Sequence, residues 1–271
     1  MVPPATNGQP PTSNSPPVRG NKEADLKYAL KMNEKNFKIF VDFDGTITKT
    51  DVGEAFFLKF GDKAKVERII DNLLSDRISA RESWLQLSET VSGFSRAKFD
   101  EFIECMEIDD TFSAFVEYCS SKNYDMYVLS DGFDYYIYRI FKREKLENLK
   151  VYCNSLKIDK SNRLIPSFPF YDMNCSSSAN CKRNHIISHS SDEDYTVFIG
   201  DGNSDKYTAQ FCDFIFAKDD LLKYCERERI TYFPFKNFTD VMERIEQLRK
   251  KKRLKKRHQA VLKRREAYMT E

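Results

Sequence analysis

Short apolar runs alternate with helical patterns over most of the chain. The apolar runs lie at 37–43, 126–130, 151–153, 196–199 and 213–217, and most of them end at Asp or Gly. Runs of this length are typical of strands that are buried on both faces. Between them, apolar residues recur at helical spacing. Strands that alternate with helices predict an α/β fold with a doubly wound, Rossmann-like parallel sheet.

The segment 49–109 has a different pattern. Apolar residues recur at helical spacing over 56–74 and 84–91, and Ser79 with Glu82 has the pattern of a capping box. This segment therefore predicts about four short helices and no strand. We expect a small, all-helical cap that is inserted after the first strand.

The domain boundaries follow from these patterns. The predicted α/β catalytic core consists of 36–48 and 110–235. Six of the nine prolines lie near the start of the chain, so 1–35 is expected to be a disordered lead-in. The remaining residues, 236–271, are predicted to form a C-terminal helix with a basic tail, which by default is solvated.

Charge and composition exclude several classes of protein. The net charge is +2, but eleven of the seventeen residues in 249–265 are Lys or Arg, so weak contact with a polyanion is an alternative for this run. No apolar run approaches the roughly 18 residues that a membrane span requires. The start of the chain lacks a secretory pattern, and the predicted location is the cytoplasm. The seven cysteines do not form a disulfide framework or a zinc-ligand pattern.

Polar residues follow three of the predicted strands where each strand ends. They are Asp42 and Asp44, then Ser130, Asp131 and Gly132, then Asp201 and Asp205. Lys182 begins the predicted helix before the strand at 196–199. The carboxyl ends of parallel strands meet at one edge of a sheet, where ligands collect. We therefore expect these groups to share one cleft.

These groups suit phosphoryl transfer assisted by Mg²⁺. A carboxylate that attacks a phosphate dianion meets repulsion, and Mg²⁺, which prefers oxygen ligands, relieves it. Asp42 and Asp201 are predicted to hold the metal. Asp44 is predicted to protonate the leaving alkoxide and then to activate the attacking water.

Binding of the phosphoryl group is predicted for a second set of residues. Lys182 and the Ser130 hydroxyl are expected to bind its oxygens. The turn at Asp131 and Gly132 adds backbone N–H groups, and Thr46 adds a hydroxyl. These groups stabilise the charge that develops in the transition state.

Four segments resemble the four motifs of the haloacid dehalogenase superfamily, in the same order. They are Asp42–Thr48, Ser130, Lys182 and Gly200–Asp205. The helical insert resembles the cap of the phosphoserine-phosphatase-like branch. The segments 180–182 and 216–225 resemble the methionine-salvage phosphatases of that branch still more closely.

The resemblance implies roles for individual residues. Asp42 is the implied nucleophile, and Asp44 is the acid/base, whose backbone carbonyl is also a metal ligand. Asp201 is a metal ligand, and Asp205 supports the metal shell. Asp51 lies where phosphoserine phosphatases carry an acidic substrate contact.

The expected substrate is a small phosphorylated metabolite. Glu54 lies one helical turn after Asp51, and the two form an acidic wall that favours polar leaving groups that are neutral or cationic. Where phosphoserine phosphatases carry an Arg for the substrate carboxylate, this chain has 84–87, with Arg81 one turn away. This departure from the pattern disfavours phosphoserine.

Several other functions use part of the same pattern. A phosphotransferase would use the same intermediate on Asp42, and a phosphoserine phosphatase would use the same motifs. A signalling receiver also combines acidic residues, Mg²⁺ and Lys, but it lacks an insert such as 49–109. A polyanion-binding protein could act through 249–265 alone. The complete set of Asp42, Asp44, Lys182 and Asp201 would then have no explanation.

Overall fold

A mostly parallel sheet forms the centre of the computed structural model, which describes residues 35–175 and 178–270. Within these residues the sheet has seven strands in the order β4-β3-β2-β1-β5-β6-β7. They are β1 (Phe37–Val41), β2 (Asp125–Phe133), β3 (Lys150–Ile158), β4 (Leu164–Ser167), β5 (Tyr195–Gly200), β6 (Phe214–Ala217) and β7 (Phe233–Pro234). Only β4 is antiparallel, in a hairpin with β3. The predicted doubly wound sheet is confirmed.

The central strand shows why the sheet is buried on both faces. β1 pairs in parallel with both β2 and β5. Ile39 and Val41 belong to one apolar cluster, and Phe40 between them belongs to another. Successive side chains of a strand point to opposite faces. This position therefore requires a continuous apolar sequence. Because β1 is the central strand, its end lies at the middle of the sheet edge.

Helices cover both faces of the sheet. They are α5 (Phe112–Ser121), α6 (Asp134–Arg143), α7 (Lys182–His189), α8 (Lys206–Ala209), α9 (Asp219–Arg227), α10 (Phe238–Lys250) and α11 (His258–Thr270). A short 3₁₀ turn, Asn203–Asp205, precedes α8. In the described part of the chain, no helix combines the length and the apolar character that a membrane crossing needs.

Four helices form the predicted insert after the first strand. They are α1 (Val52–Phe60), α2 (Lys63–Leu74), α3 (Ala80–Thr90) and α4 (Arg96–Glu104). The predicted capping box of Ser79 and Glu82 begins α3. Phe56 joins the helices, because its ring packs 4.0 Å from that of Phe99 and 5.6 Å from that of Phe94. These rings belong to the same apolar cluster as Ile39 and Val41 of β1, so the core of the insert is continuous with that of the sheet.

The two connections between insert and core run side by side. Thr48 and Ile108 form an antiparallel bridge, and the Lys49 N–H donates to the Glu107 carbonyl over 2.9 Å. The chain thus enters and leaves the insert side by side. The insert also packs on the core, where the Tyr135 hydroxyl donates to Asp100 at 2.8 Å and the Trp84 ring contacts that of Phe133.

The C-terminal basic segment differs from the solvated tail that its charge pattern predicts. Residues after α10 turn back and form α11, in which Arg264 is 2% exposed and lies 3.1 Å from Asp213. The Arg257 guanidinium donates to the Ala209 and Cys212 carbonyls. A count of charges does not reveal these buried partners, so the sequence pattern alone missed the packing. Of the lead-in predicted at 1–35, residues 1–34 lie outside the described residues.

Arg264→Met should lower the free energy of unfolding by about 3 kcal/mol, because it leaves Asp213 buried without its cation. Arg265→Met is the matched control, since the Arg265 side chain is 61% exposed and 4.0 Å from Asp192. The control should change stability by less than about 0.5 kcal/mol. Urea unfolding measures both. Equal losses would show that α11 is not held by the buried pair.

Candidate active site

Asp42 and Asp44 follow the central strand at the carboxyl edge of the sheet. The Asp42 N–H donates to the Ile199 carbonyl over 2.9 Å, which extends the pairing of β1 with β5. Gly45 then turns the chain with φ +76°. A Cβ atom at Gly45 would lie 2.4 Å from Asp201 Oδ2, so only glycine lets the two acidic loops approach.

Lys182 lies at the start of α7 and is fully buried. Its ammonium donates to Asp42 Oδ1, to Asp205 Oδ1 at 2.7 Å and to Ser204 Oγ at 3.1 Å. Burial alone would lower the pKa of Lys182, but the Asp205 and Asp42 carboxylates outweigh it and raise the pKa. Lys182 therefore remains a cation at the centre of the acidic cluster.

The other cationic residues near Lys182 have different partners. Arg183 pairs with Asp172 at 2.7 Å, and the Lys206 ammonium donates to Asn203. Of these three basic residues, only Lys182 contacts Asp42 in the described structure. The phosphate-binding role that the sequence predicts for Lys182 stays a prediction.

Three carboxylates could hold a metal ion. Asp42, Asp201 and Asp205 each offer an oxygen within 4.8 Å of the others. Both carboxylate oxygens of Asp205 already accept hydrogen bonds. Oδ1 accepts from Lys182, and Oδ2 accepts from the N–H groups of Asp201 and Gly202 at 3.1 Å. Asp42 and Asp201 are therefore better placed as direct ligands, while Asp205 orients the loop.

The charge at this cluster is not balanced by Lys182 alone. Burial, then the charge of Asp205, raises the pKa of Asp201 to about 6. The same two causes hold the pKa of Asp42 well above its usual value despite Lys182. A group of buried oxygen ligands with excess negative charge fits a hard dication such as Mg²⁺.

Asp44 is held by three hydrogen bonds. Its Oδ1 accepts from the Val52 N–H at 3.1 Å, and its Oδ2 accepts from Ser130 Oγ at 3.1 Å and from the Tyr136 hydroxyl at 3.0 Å. Burial, then the charge of Asp51, raises the pKa of Asp44 to about 8. Sequence reasoning missed Tyr136, whose only signal was its place in the first turn of the helix after Gly132.

Gly132 provides space for this arrangement. A Cβ atom there would lie 1.7 Å from the Tyr136 hydroxyl and 2.6 Å from Asp44 Oδ2. The Gly132 N–H donates to Ser130 Oγ at 2.9 Å. In this structure it therefore orients the Ser130 hydroxyl, whereas the sequence predicted that it would face the phosphate.

Two more predicted phosphate contacts have other partners. Thr46 is buried, and its hydroxyl donates to Asp201 Oδ1 at 2.5 Å. Asp131 Oδ1 accepts from the N–H groups of Ala179 and Asn180, both at 2.7 Å. Thr46 therefore fixes an acidic side chain, and Asp131 fixes the loop before Lys182. A carboxylate would also repel a phosphate, so the Asp131 side chain does not suit a phosphate contact. The contact predicted for the backbone N–H at Asp131 stays a prediction.

Asn180 is a second residue whose role the sequence did not reveal. It is fully buried. Its amide donates at 2.8 Å to the carbonyls of Ser130 and Tyr152, and its Oδ1 lies 2.7 Å from His185 Nε2. Asn180 thus ties the loop that carries Lys182 to the strand that carries Ser130.

A cleft of about 340 Å³ lies between these groups and the insert. Asp51 and Glu54 line it, and Asp51 also caps α1 by accepting from the Glu54 N–H at 2.7 Å. Arg81, and Arg77 before it, do not line this cleft and so do not offer a partner to a substrate carboxylate there. Arg77 pairs with Asp71 at 3.3 Å, and Arg81 lies 5.0 Å above the Tyr171 ring.

A family model described as haloacid dehalogenase-like hydrolase matches residues 39–210. The chain belongs to this family. A 2-hydroxy-3-keto-5-methylthiopentenyl-1-phosphate phosphatase of Bacillus cereus (strain ATCC 10987 / NRS 248) is 30% identical over 217 residues, which cover 79% of this chain and 97% of the relative. The enzyme of the same name from Bacillus mycoides (strain KBAB4) is 31% identical over the same coverage.

Solved structures agree with this placement at the level of the fold. A phospho-aspartyl intermediate analogue of phosphoserine phosphatase has a TM-score of 0.57 at 17% identity, covering 79% of this chain and 99% of that chain. Phosphoserine phosphatase from T. onnurineus has a TM-score of 0.59 at 16% identity, covering 83% and 98%. The family and the fold class predicted from the motifs are both confirmed.

Proposed function

We propose that this member of the haloacid dehalogenase-like family is a phosphatase that hydrolyses a small-molecule phosphate monoester through a phospho-aspartate on Asp42. The observation that carries this proposal is the buried contact of Asp42 with Lys182, beside Asp44 at the mouth of the cleft. The same activity in the 30% identical relatives supports it.

Mg²⁺ is the proposed cofactor. Asp42, Asp201 and the Asp44 backbone carbonyl are the proposed ligands, and Asp205 orients them through its contacts with Lys182 and the Asp201 N–H. When bound, the metal neutralises negative charge and polarises the phosphoryl group. The oxygen-only donor set within 4.8 Å is what supports this assignment.

The chemistry proceeds in two steps. An Asp42 oxygen attacks phosphorus and the ester P–O bond breaks, while Asp44 gives its proton to the leaving oxygen. A water then attacks phosphorus as Asp44 takes its proton, and the bond between phosphorus and the Asp42 oxygen breaks. Inorganic phosphate is released and the Asp42 carboxylate is regenerated. The raised pKa of Asp44 suits the first step, because it keeps the carboxyl protonated near neutral pH. Lys182 and Ser130 stabilise the phosphoryl oxygens.

We assign the cap role to 49–109. Its two connections to the core run side by side at Thr48 and Ile108. A hinge motion there, with release of contacts such as Tyr135 to Asp100, would move the insert as a unit. Closure over a bound ester would exclude water during the first step and admit it during the second.

The proposed substrate is a small phosphorylated metabolite whose leaving group is polar and neutral or cationic. Among the described residues, the cleft lining includes Asp51 and Glu54 but no Lys or Arg. A substrate carboxylate would have no cationic partner there, which disfavours phosphoserine. The substrate in the relatives' name is an enol phosphate without a carboxylate, which is compatible with an acidic lining of the cleft.

Asp51→Asn should lower kcat/KM for an amino-alcohol phosphate by about tenfold, because it removes the charge that faces the leaving group. Asparagine still caps α1, so the helix is preserved. An aryl phosphate should lose no more than about twofold. The control is Asp62→Asn, which changes the cap of α2 outside the cleft. An equal loss for both esters would refute the specificity role of Asp51.

Tyr136→Phe should lower kcat by about tenfold with little change in KM, because one of the hydrogen bonds that orient Asp44 is lost. Tyr135→Phe is the adjacent control, since the Tyr135 hydroxyl donates to Asp100 on the insert at 2.8 Å. Steady-state kinetics with an aryl phosphate separates the two constants. A rise in KM alone would show that Tyr136 contacts the substrate and does not position Asp44.

Two further parts of the proposal concern the basic segment 249–265 and the cellular location. Weak contact of 249–265 with a polyanion is the non-enzymatic alternative. Arg257 and Arg264 have internal partners and Arg249 pairs with Glu246 at 2.9 Å, which leaves mainly 250–255 for such contact. The cytoplasm is the proposed location. Binding to RNA that falls steeply with added salt would support the polyanion contact, and no binding at low salt would remove it.

A further inference from the structure

The strand that carries Ser130 has a bulge beside the active site. Between Leu129 and Phe133 the pairing of β2 with β3 shifts, because β2 advances four residues while β3 advances only two. Bulges interrupt regular pairing and re-aim side chains. The bulged residues include Ser130, whose hydroxyl donates to Asp44 at 3.1 Å. The position of the Ser130 hydroxyl therefore depends on how this bulge is held.

The Asn180 amide binds backbone carbonyls on both strands at the bulge. It donates to Ser130 on β2 and to Tyr152 on β3, in both cases over 2.8 Å. Asn180 also lies two residues before Lys182 in the chain. The residue between them, Cys181, provides no side-chain cap for α7. Asn180 therefore fixes the start of α7, which carries Lys182, relative to Ser130.

His185 determines which way this amide faces. The Asn180 nitrogen donates to both carbonyls, so its Oδ1 is the atom that lies 2.7 Å from His185 Nε2, and this oxygen can only accept. The imidazole proton therefore lies on Nε2. Burial, then the charge of His189, lowers the pKa of His185 to about 4. A neutral ring thus makes this contact near neutral pH.

Neighbouring rings hold the His185 imidazole in place. Its ring centre lies 4.4 Å from that of Tyr152 and 4.8 Å, edge-on, from that of Phe170. Lys182 and His185 are three residues apart on α7, so they lie on neighbouring positions of one helical face. The imidazole therefore has a fixed place relative to Lys182.

We propose that His185 is a positioning residue for phosphoryl transfer. Through the Asn180 amide it holds Ser130 and Lys182 at the separation that a bound phosphoryl group requires. His185 does not line the cleft, so it acts only through Asn180. This inference rests on the proposed phosphatase function and adds a residue to the groups that organise its site.

His185→Phe should lower kcat for an aryl phosphate by about tenfold, because Asn180 Oδ1 loses its donor and the amide no longer holds both carbonyls. His185→Gln should keep kcat within about twofold, since a glutamine amide can donate in place of Nε2. His189→Phe is the matched control one turn along α7, where His189 stacks on the Tyr127 ring at 4.7 Å. The control should change kcat by less than about twofold. Kinetics below the unfolding midpoint of each protein separates positioning from loss of stability.

Nitrogen NMR of the imidazoles in the unaltered protein tests the contact without any substitution. Near neutral pH the His185 proton should lie on Nε2, and a proton on Nδ1 would overturn the inference. Equal losses of kcat in the His185→Phe and His185→Gln proteins, or an unchanged kcat in His185→Phe, would overturn the positioning role and leave the phosphatase intact. Failure of the unaltered protein to hydrolyse any ester would instead overturn the phosphatase itself.

Discussion

Asp42→Asn should lower kcat by about 10⁵-fold, because the amide keeps the shape of the side chain but removes the attacking charge. Asp42 lies at the end of the central strand, 4% exposed, with its carboxylate against Lys182. The expected loss is the largest for any single substitution in the chain. It is measured as phosphate release from an aryl phosphate with Mg²⁺.

The control for Asp42→Asn is another carboxylate that pairs with a lysine. Asp125 is the first residue of β2, so it lies at the end of the strands opposite the cleft, 2.6 Å from Lys38. Asp125→Asn should keep kcat within about twofold, because this ion pair is partly exposed and remote from the cleft. Circular dichroism checks that both proteins fold. Turnover by Asp42→Asn within tenfold of the unaltered protein would rule out Asp42 as the nucleophile.

Lys182→Met has the second largest expected effect. The substitution removes the cation that binds Asp42 and Asp205, so kcat/KM should fall by about 10³-fold. It also leaves two buried carboxylates without their cation, and the free energy of unfolding should fall by about 3 kcal/mol. Kinetics and urea unfolding measure the two losses.

Lys206→Met provides the comparison for Lys182. The Lys206 ammonium contacts Asn203 and lies 5.9 Å from the Tyr224 ring, so the substitution should change kcat/KM by less than about threefold. Similar losses in the two variants would mean that the general positive charge of this region matters, and not the direct contact of Lys182 with Asp42.

The sequence predicts those parts of the site that the strand ends determine. Asp42 and Asp201 each follow an apolar run that pairs in a parallel sheet, so their meeting at one edge follows from the pattern alone. Lys182 could be chosen over Arg183 because it begins a helix. The helical insert was also predictable, since its periodicity differs from that of the strands.

Other parts depend on contacts between distant segments. The Tyr136 hydroxyl reaches Asp44 only because Gly132 leaves room for it. The Thr46 hydroxyl binds Asp201 because the turn at Gly45 brings the two loops together. No local pattern distinguishes such a hydroxyl from one that faces a substrate.

In the C-terminal segment, too, the sequence pattern does not identify the residue that stabilises the fold. Arg264 is one of eleven basic residues in 249–265, yet it is buried against Asp213. Its neighbours Lys263 and Arg265 have similar chemistry, and only the register of α11 decides which side chain points inward. A charged run therefore predicts net charge well and predicts individual partners poorly.

Chemical trapping of the intermediate tests the central claim most directly. The protein is mixed with its best ester and Mg²⁺, quenched within one turnover and reduced with borohydride, which converts an aspartyl phosphate to homoserine. Peptide mass spectrometry should find homoserine at position 42 and nowhere else, and none in the Asp42→Asn protein. Homoserine at another aspartate, or rapid turnover with none at position 42, would contradict a phospho-aspartate mechanism on Asp42.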